Sequence, residues 1–138
     1  MNETDESPAT AFRQRLIAQL SPMASLAYQR RYIVHGDAHS YALADELLDT
    51  LHHTLAQFRA QPEFHALFSL PQFAALDQLR VLLDEFSTDI DSIPNDELVE
   101  RHAGWRAIRE QSAICLALLG FDLDSWQANE LNDNTRNA

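Results

Sequence analysis

Arg30 and His35 stand five positions apart in the segment Arg30-Arg31-Tyr32-Ile33-Val34-His35. A guanidinium that neutralises a developing phosphorane and an imidazole that moves a proton are two groups that phosphoester cleavage uses. The next residues, His35-Gly36-Asp37-Ala38-His39, set two imidazoles around a carboxylate, donor types that suit zinc or iron. Asp45, Asp49, His52 and His53 put carboxylates and imidazoles one helical turn apart, and Asp49-x-x-His52 has the spacing of half a bundle di-metal site. No Glu-x-x-His partner occurs on another segment, so a solvated helix face accounts for this cluster. Cys115 is the sole cysteine, so it forms no internal disulfide, and its apolar surroundings favour a buried structural thiol over an activated one.

The feature that rises furthest above background is the stretch from Asp84 to Glu100, which carries seven acids and no basic residue in 17 positions. A solvated face would look the same. Concentrated negative charge beside Ile90, Ile93, Leu98 and Trp105 is also what a protein needs to steer a basic partner in and then desolvate an apolar anchor. The candidate partner-binding residues are therefore Asp84, Glu85, Asp89, Asp91, Asp96, Glu97 and Glu100, with Trp105 as the anchor.

Several short segments resemble known families. The Arg30-x4-His35 spacing resembles the Arg-x4-6-His motif of HEPN ribonucleases, which implies a small helical bundle acting as a dimer. His35 would then be the general base or acid, and Arg30 the stabiliser of phosphorane charge. His35-Gly36-Asp37-Ala38-His39 resembles the start of the catalytic loop in aminoglycoside-phosphotransferase-like kinases, which implies a proton-accepting Asp37. The metal-binding Asn of that family falls on Ala42, and no glycine-rich phosphate loop accompanies it, so the segment reads as a turn between helices. Asp89, Asp91, Asn95 and Glu100 match positions 1, 3, 7 and 12 of an EF-hand loop. Ile93 replaces an oxygen ligand there, Pro94 the turn glycine and Asp96 the apolar eighth position. His102, in Glu100-Arg101-His102-Ala103-Gly104-Trp105, has the placement of a lone haem-ligating histidine, as the proximal histidine of globins does.

Composition narrows these options. Ten Arg and no Lys face 21 acids, a net charge of −11 that repels nucleic acid unless a local basic patch overrides it. The imbalance belongs to the second half: residues 1–60 hold seven acids and five Arg, residues 61–138 hold 14 acids and five Arg. Absence of Lys with abundant Ala and Leu points to a GC-rich bacterial genome. Met1 to Pro8 lacks an apolar signal core, and no apolar stretch approaches the ~20 residues that span a bilayer, so a cytoplasmic protein is expected.

The elements that must position these residues are helices. Three glycines, five prolines and few β-branched residues beside many Leu and Ala favour an all-α fold. Ser7-Pro8 begins a first helix with Phe12, Leu16 and Leu20 inward, and Ser21-Pro22 repeats the signal for a second that ends at Gly36 in a left-handed conformation. A third runs from Ser40 to Gln61 on Ala44, Leu47, Leu48, Leu51, Leu55 and Phe58. Pro62 and Pro71 bracket a short apolar turn, after which Phe73, Leu76, Leu79, Leu83 and Phe86 define a further helix. A long helix is expected from about Asn95 to Leu119, closed by Gly120, with Leu98, Trp105, Ile108, Ser112, Cys115 and Leu119 inward and Phe121 folded back over its last turn. A short segment around Leu123, Trp126 and Leu131 completes the set.

The expected architecture is one irregular bundle of five or six helices over residues 8–131, between a disordered N-terminus, 1–7, and a disordered polar tail, 132–138. The expected function is non-catalytic binding of a basic protein. Immunity proteins, antitoxin-like inhibitors and secretion chaperones share this profile of small size and acidity. A HEPN-like ribonuclease or phosphoesterase using Arg30 and His35 is the second expectation. A metal or haem carrier built from His52, His53, His65 or His102 is the third. No cofactor or metal is assigned, no membrane partner is expected, and a homodimer is compatible with the sequence.

Overall fold

The structure, a computed structural model, describes residues 7–37, 41–86 and 89–137, with side chains as far as Leu131. Eight α-helices are present among these residues, and no strand. They are α1 (Pro8–Ala24), α2 (Leu26–Gln29), α3 (Ala44–Ala60), α4 (Pro62–His65), α5 (Leu70–Glu85), α6 (Asn95–Arg101), α7 (Ala103–Leu118) and α8 (Leu123–Asn137). A π-helical turn, Arg30–Val34, extends α2, and a 3-10 turn, Ile90–Ser92, precedes α6.

Four of the five long helices pack as a ring, α1 on α3 and α7, and α5 on α3 and α7. One continuous cluster fills the centre. Leu16, Leu20, Met23, Leu51, Leu55, Leu79, Leu98 and Trp105 are fully buried within it. Phe12 stacks on Phe64 at 4.3 Å between ring centres and meets Phe58 and Phe68, so α4 is pinned by aromatic contacts although it is a single turn. The whole inward stripe expected from Leu98 to Leu119 is buried.

The helix count exceeds five or six for local reasons. Ser21-Pro22 does not start a helix. α1 runs through Pro22 to Ala24, with the Ser21 hydroxyl donating to the Ile17 carbonyl at 2.7 Å, and the break falls at Ser25. Ser25 leaves helical geometry and its hydroxyl accepts the Tyr28 N–H, capping α2. The expected long helix from Asn95 also divides. His102 is extended, and its Nδ1 accepts the Trp105 N–H at 3.2 Å, so it caps α7 and separates it from α6. α3 begins at Ala44, and the Ser40 start lies outside the described residues.

Two turns follow glycine chemistry, in different ways. Gly120 sits at φ 78°, and the Phe121 and Gly120 N–H groups bond the Leu116 and Ala117 carbonyls, both at 3.0 Å, which is the expected Schellman end of α7. Gly36 does not adopt a left-handed conformation. It is required by close approach instead: a Cβ there would lie 2.4 Å from the Tyr32 carbonyl oxygen and 2.8 Å from the Tyr41 Cβ. The backbone of 132–137, expected as an irregular tail, continues α8. The N-terminal segment 1–6 and Ala138 lie outside the described residues.

Candidate functional site

The acidic stretch does not form one uniform face. Its two ends are neutralised. Asp84, in the last turn of α5, takes Arg80 Nη1 on one oxygen and His52 Nε2 on the other, each at 2.5 Å. These bonds, His52 first, hold its carboxyl below the usual range. Glu100 receives both prongs of the Arg30 guanidinium at 2.7 and 2.8 Å, which holds its carboxyl low as well.

The middle of the stretch is free. Glu85, Asp89, Asp91, Asp96 and Glu97 are exposed and make no salt bridge among the described residues. Asp89 caps the 3-10 turn, its carboxylate accepting the Asp91 N–H, so that carboxylate is fixed in direction. Asp96 and Glu97 occupy the first turn of α6, where the helix dipole favours negative charge. Ordering of this segment comes partly from Asn95, whose side-chain amide donates to the Ile33 carbonyl at 3.1 Å and ties α6 to the π turn. Asn95 is thus tied to Ile33, Arg30 occupies Glu100 and Asp89 caps the 3-10 turn, so three of the four carboxyl or amide groups that match an EF-hand serve intramolecular contacts.

The 3-10 turn lies against the residues that lead into α3. Leu43 and Asp45 form one wall of a small cleft of about 140 Å³, and Ile90, Asp91 and Ile93 form the other. Among the described residues, no basic residue lines it. Leu43 is exposed and the two isoleucines are half-buried, so apolar side chains stand beside the two carboxylates in a cleft whose presented surface is mostly polar. Asp45 groups in the sequence with Asp49, His52 and His53 and not with the partner-binding candidates. Its place in an acidic first helical turn was visible, but its closeness to Asp91 is a product of tertiary packing.

Trp105 is not part of this surface. Its side chain is fully buried, and its indole N–H donates to Gln29 Oε1 at 3.0 Å. Gln29, also fully buried, donates to the Pro22 and Met23 carbonyls at 3.0 and 2.7 Å and accepts from Arg109 Nη1 at 3.2 Å. The expectation of Trp105 as an exposed anchor is thus replaced by a core role: Trp105 and Gln29 lock the end of α1 to α7. Sequence spacing places Trp105 on the inward stripe, and that periodicity outweighs its nearness to the acids.

Arg30 and His35 do share a groove. It is open, about 570 Å³, and is lined by Ala27, Arg30, Arg31, His35 and Leu131. The π turn brings them there: His35 N–H bonds the Arg30 carbonyl at 3.0 Å, a five-residue reach that stacks the two ends of the turn. The Arg30 guanidinium, however, points its paired nitrogens at Glu100.

The remaining histidines are dispersed in local roles. His65 bonds the Phe58 carbonyl at 3.0 Å and packs on Phe73. His102 caps α7 and packs edge-on to Phe86. His39 lies outside the described residues. Among the described residues, no three His, Cys, Asp or Glu side chains come together in a group that could hold a metal ion. No helix among them is long and apolar enough to cross a membrane. In comparisons with family models, with curated proteins and with solved structures, no significant match to this chain was found.

Proposed function

We propose that this protein is a non-catalytic binding protein that captures a basic partner protein on the cleft between the start of α3 and the 3-10 turn before α6. The observation that carries this reading is the placement of Asp45 and Asp91 across one cleft beside Leu43, Ile90 and Ile93, with no cation lining it among the described residues. Unpaired Asp89, Asp96 and Glu97 flank it and extend the negative field. Long-range attraction from these carboxylates speeds encounter, and Leu43, Ile90 and Ile93 beside them supply the apolar part of the contact. Immunity proteins, antitoxin-like inhibitors and secretion chaperones work on this physical basis, and a regulator of that kind is the proposed role.

The test uses tagged full-length protein and native lysate at low and high salt, with bound proteins identified by mass spectrometry and the leading one then titrated in purified form. A single basic protein should be retained at low salt and released at high salt. The combined substitution Asp45→Asn, Asp91→Asn, Asp96→Asn and Glu97→Gln should abolish its retention. Equal retention by this variant would remove the cleft from the mechanism.

A second reading rests on the shared Arg30–His35 groove. There His35 would move a proton and Arg30 or Arg31 would meet a phosphoester, provided that substrate displaced Glu100. Cleavage of RNA that is lost in Arg30→Ala and in His35→Ala, and increased in Glu100→Gln, would favour it over the binding reading.

A further inference from the structure

A second concavity lies on the other side of Leu43, between α1, α2 and the first two turns of α3. It encloses about 320 Å³, within the range of small-molecule sites. Gln19 and Pro22 come from α1, Tyr28 from α2, Tyr41 from the lead-in to α3, and Glu46 and Thr50 from α3 itself.

We infer that this pocket binds a small organic cation, an ammonium group carried on a compact apolar or aromatic body. Among the described residues, Glu46 is the only charged residue on its walls, and it is negative. Tyr28 and Tyr41 supply two aromatic rings, whose faces attract a cation and also cover an apolar body. The polar atoms around them are short of donors. Gln19 Oε1 is buried and has no hydrogen-bond partner among the described residues. Pro22, with no N–H, withdraws from the Ala18 carbonyl the donor that the next helical turn would provide. Ala18 also lines the pocket. An ammonium brings donors and positive charge together, which answers each of these features at once; among the described residues an anion would meet Glu46 and no cation.

The pocket is also held in shape. Tyr28 packs against Tyr32 at 4.6 Å and Trp126 at 5.5 Å between ring centres, so its ring is fixed before any ligand arrives. Tyr41 is 58% exposed, an aromatic surface that a ligand would shield from water. The neighbouring turn is closed by the Ala42 N–H to Tyr32 carbonyl bond at 2.9 Å, which keeps Tyr41 beside the pocket mouth.

Titration of the intact protein with phenethylamine, with phenethyl alcohol as the neutral isostere and phenylpropionate as the anionic one, tests this. Binding is followed by amide chemical shifts and by calorimetry. Phenethylamine should bind with Kd below about 1 mM and shift Gln19, Glu46 and Thr50, whereas both isosteres should bind at least about 10-fold more weakly. Glu46→Gln, at an exposed first-turn position, should leave the fold intact and weaken the amine about 10-fold without changing the alcohol. Tyr41→Ala should weaken it too. Equal binding of amine and alcohol, an unchanged affinity in Glu46→Gln, or no saturable shift with the amine would each overturn the assignment.

Discussion

Arg30 of the π turn grips Glu100 of α6 with two parallel hydrogen bonds at 2.7 and 2.8 Å. This pair joins a residue from a catalytic reading of the sequence to one from a binding reading, and each compromises the other. Arg30 is not presented freely to a phosphoester, and Glu100 is not presented freely to a basic partner. The free negative charge is displaced toward Asp89, Asp91, Asp96 and Glu97, where the 3-10 turn meets the start of α3.

Acid should weaken the fold through the paired carboxylates. Glu100, Asp84 and Asp122 are all held below the usual carboxylate range, by Arg30, by His52 with Arg80, and by Ser125 respectively. A folded-state value below the unfolded one means that the stabilisation is complete above about pH 4 and is lost as pH falls through the lowered values. Urea midpoints at pH 6 and pH 3 should therefore differ less in the Glu100→Gln, Asp84→Asn double variant than in the parent. Both pairs are solvent-exposed, so the change should be small at pH 6. An identical acid response in parent and variant would show that these pairs do not contribute.

Gln29 should be among the costliest polar residues to replace. It is fully buried and bridges Pro22, Met23, Trp105 and Arg109. Gln29→Leu keeps the volume but strands two carbonyls, an indole N–H and part of a guanidinium, so a loss of about 2–4 kcal/mol in unfolding free energy is expected. Chemical denaturation measures it. A loss within about 0.5 kcal/mol would mean that water or rearrangement satisfies those groups.

The two glycine turns should respond differently to the same substitutions. Gly36→Ala drives a methyl against the Tyr32 carbonyl oxygen, 2.4 Å away, and should cost about 1–3 kcal/mol. Gly120→Ala meets no atom within 4 Å and carries only the cost of a left-handed residue, about 1 kcal/mol. Asn should recover part of the loss at Gly120, because it tolerates that conformation, and none at Gly36. Thermal denaturation of the four variants decides this.

Cys115 should be chemically silent while the protein is folded. Burial pushes its thiol up to about 12, so thiolate is scarce at pH 8. Alkylation should proceed at the rate of unfolding, and rise sharply in denaturant. Because the folded value is raised above the ~8.5 of an unfolded chain, the associated stability is full below pH 8.5 and declines as pH climbs toward 12. Cys115→Ala should remove that alkaline decline. Rapid labelling of the native protein at pH 8 would contradict the buried placement.

What the sequence determined by itself is the helical character and the inward face of each helix. Leu51, Leu55, Phe58, Leu76, Leu79, Leu83, Ile108 and Cys115 are buried as their three- and four-residue spacing requires. The Schellman end at Gly120 and the proline-led start of α1 were legible for the same reason: they depend on neighbours within one turn. Breaks at Ser25 and His102 were not, since each is a competition between continuing a helix and a capping bond that three-dimensional packing decides. The candidate site shows the same division. Local sequence identifies the acids between Asp84 and Glu100, but only the tertiary structure pairs Arg30 with Glu100, turns Trp105 into the core and brings Asp45 to Asp91. Charges and rings meet across the fold at separations no periodicity encodes, because which faces abut is settled by how α1, α3, α5 and α7 close around their shared apolar centre.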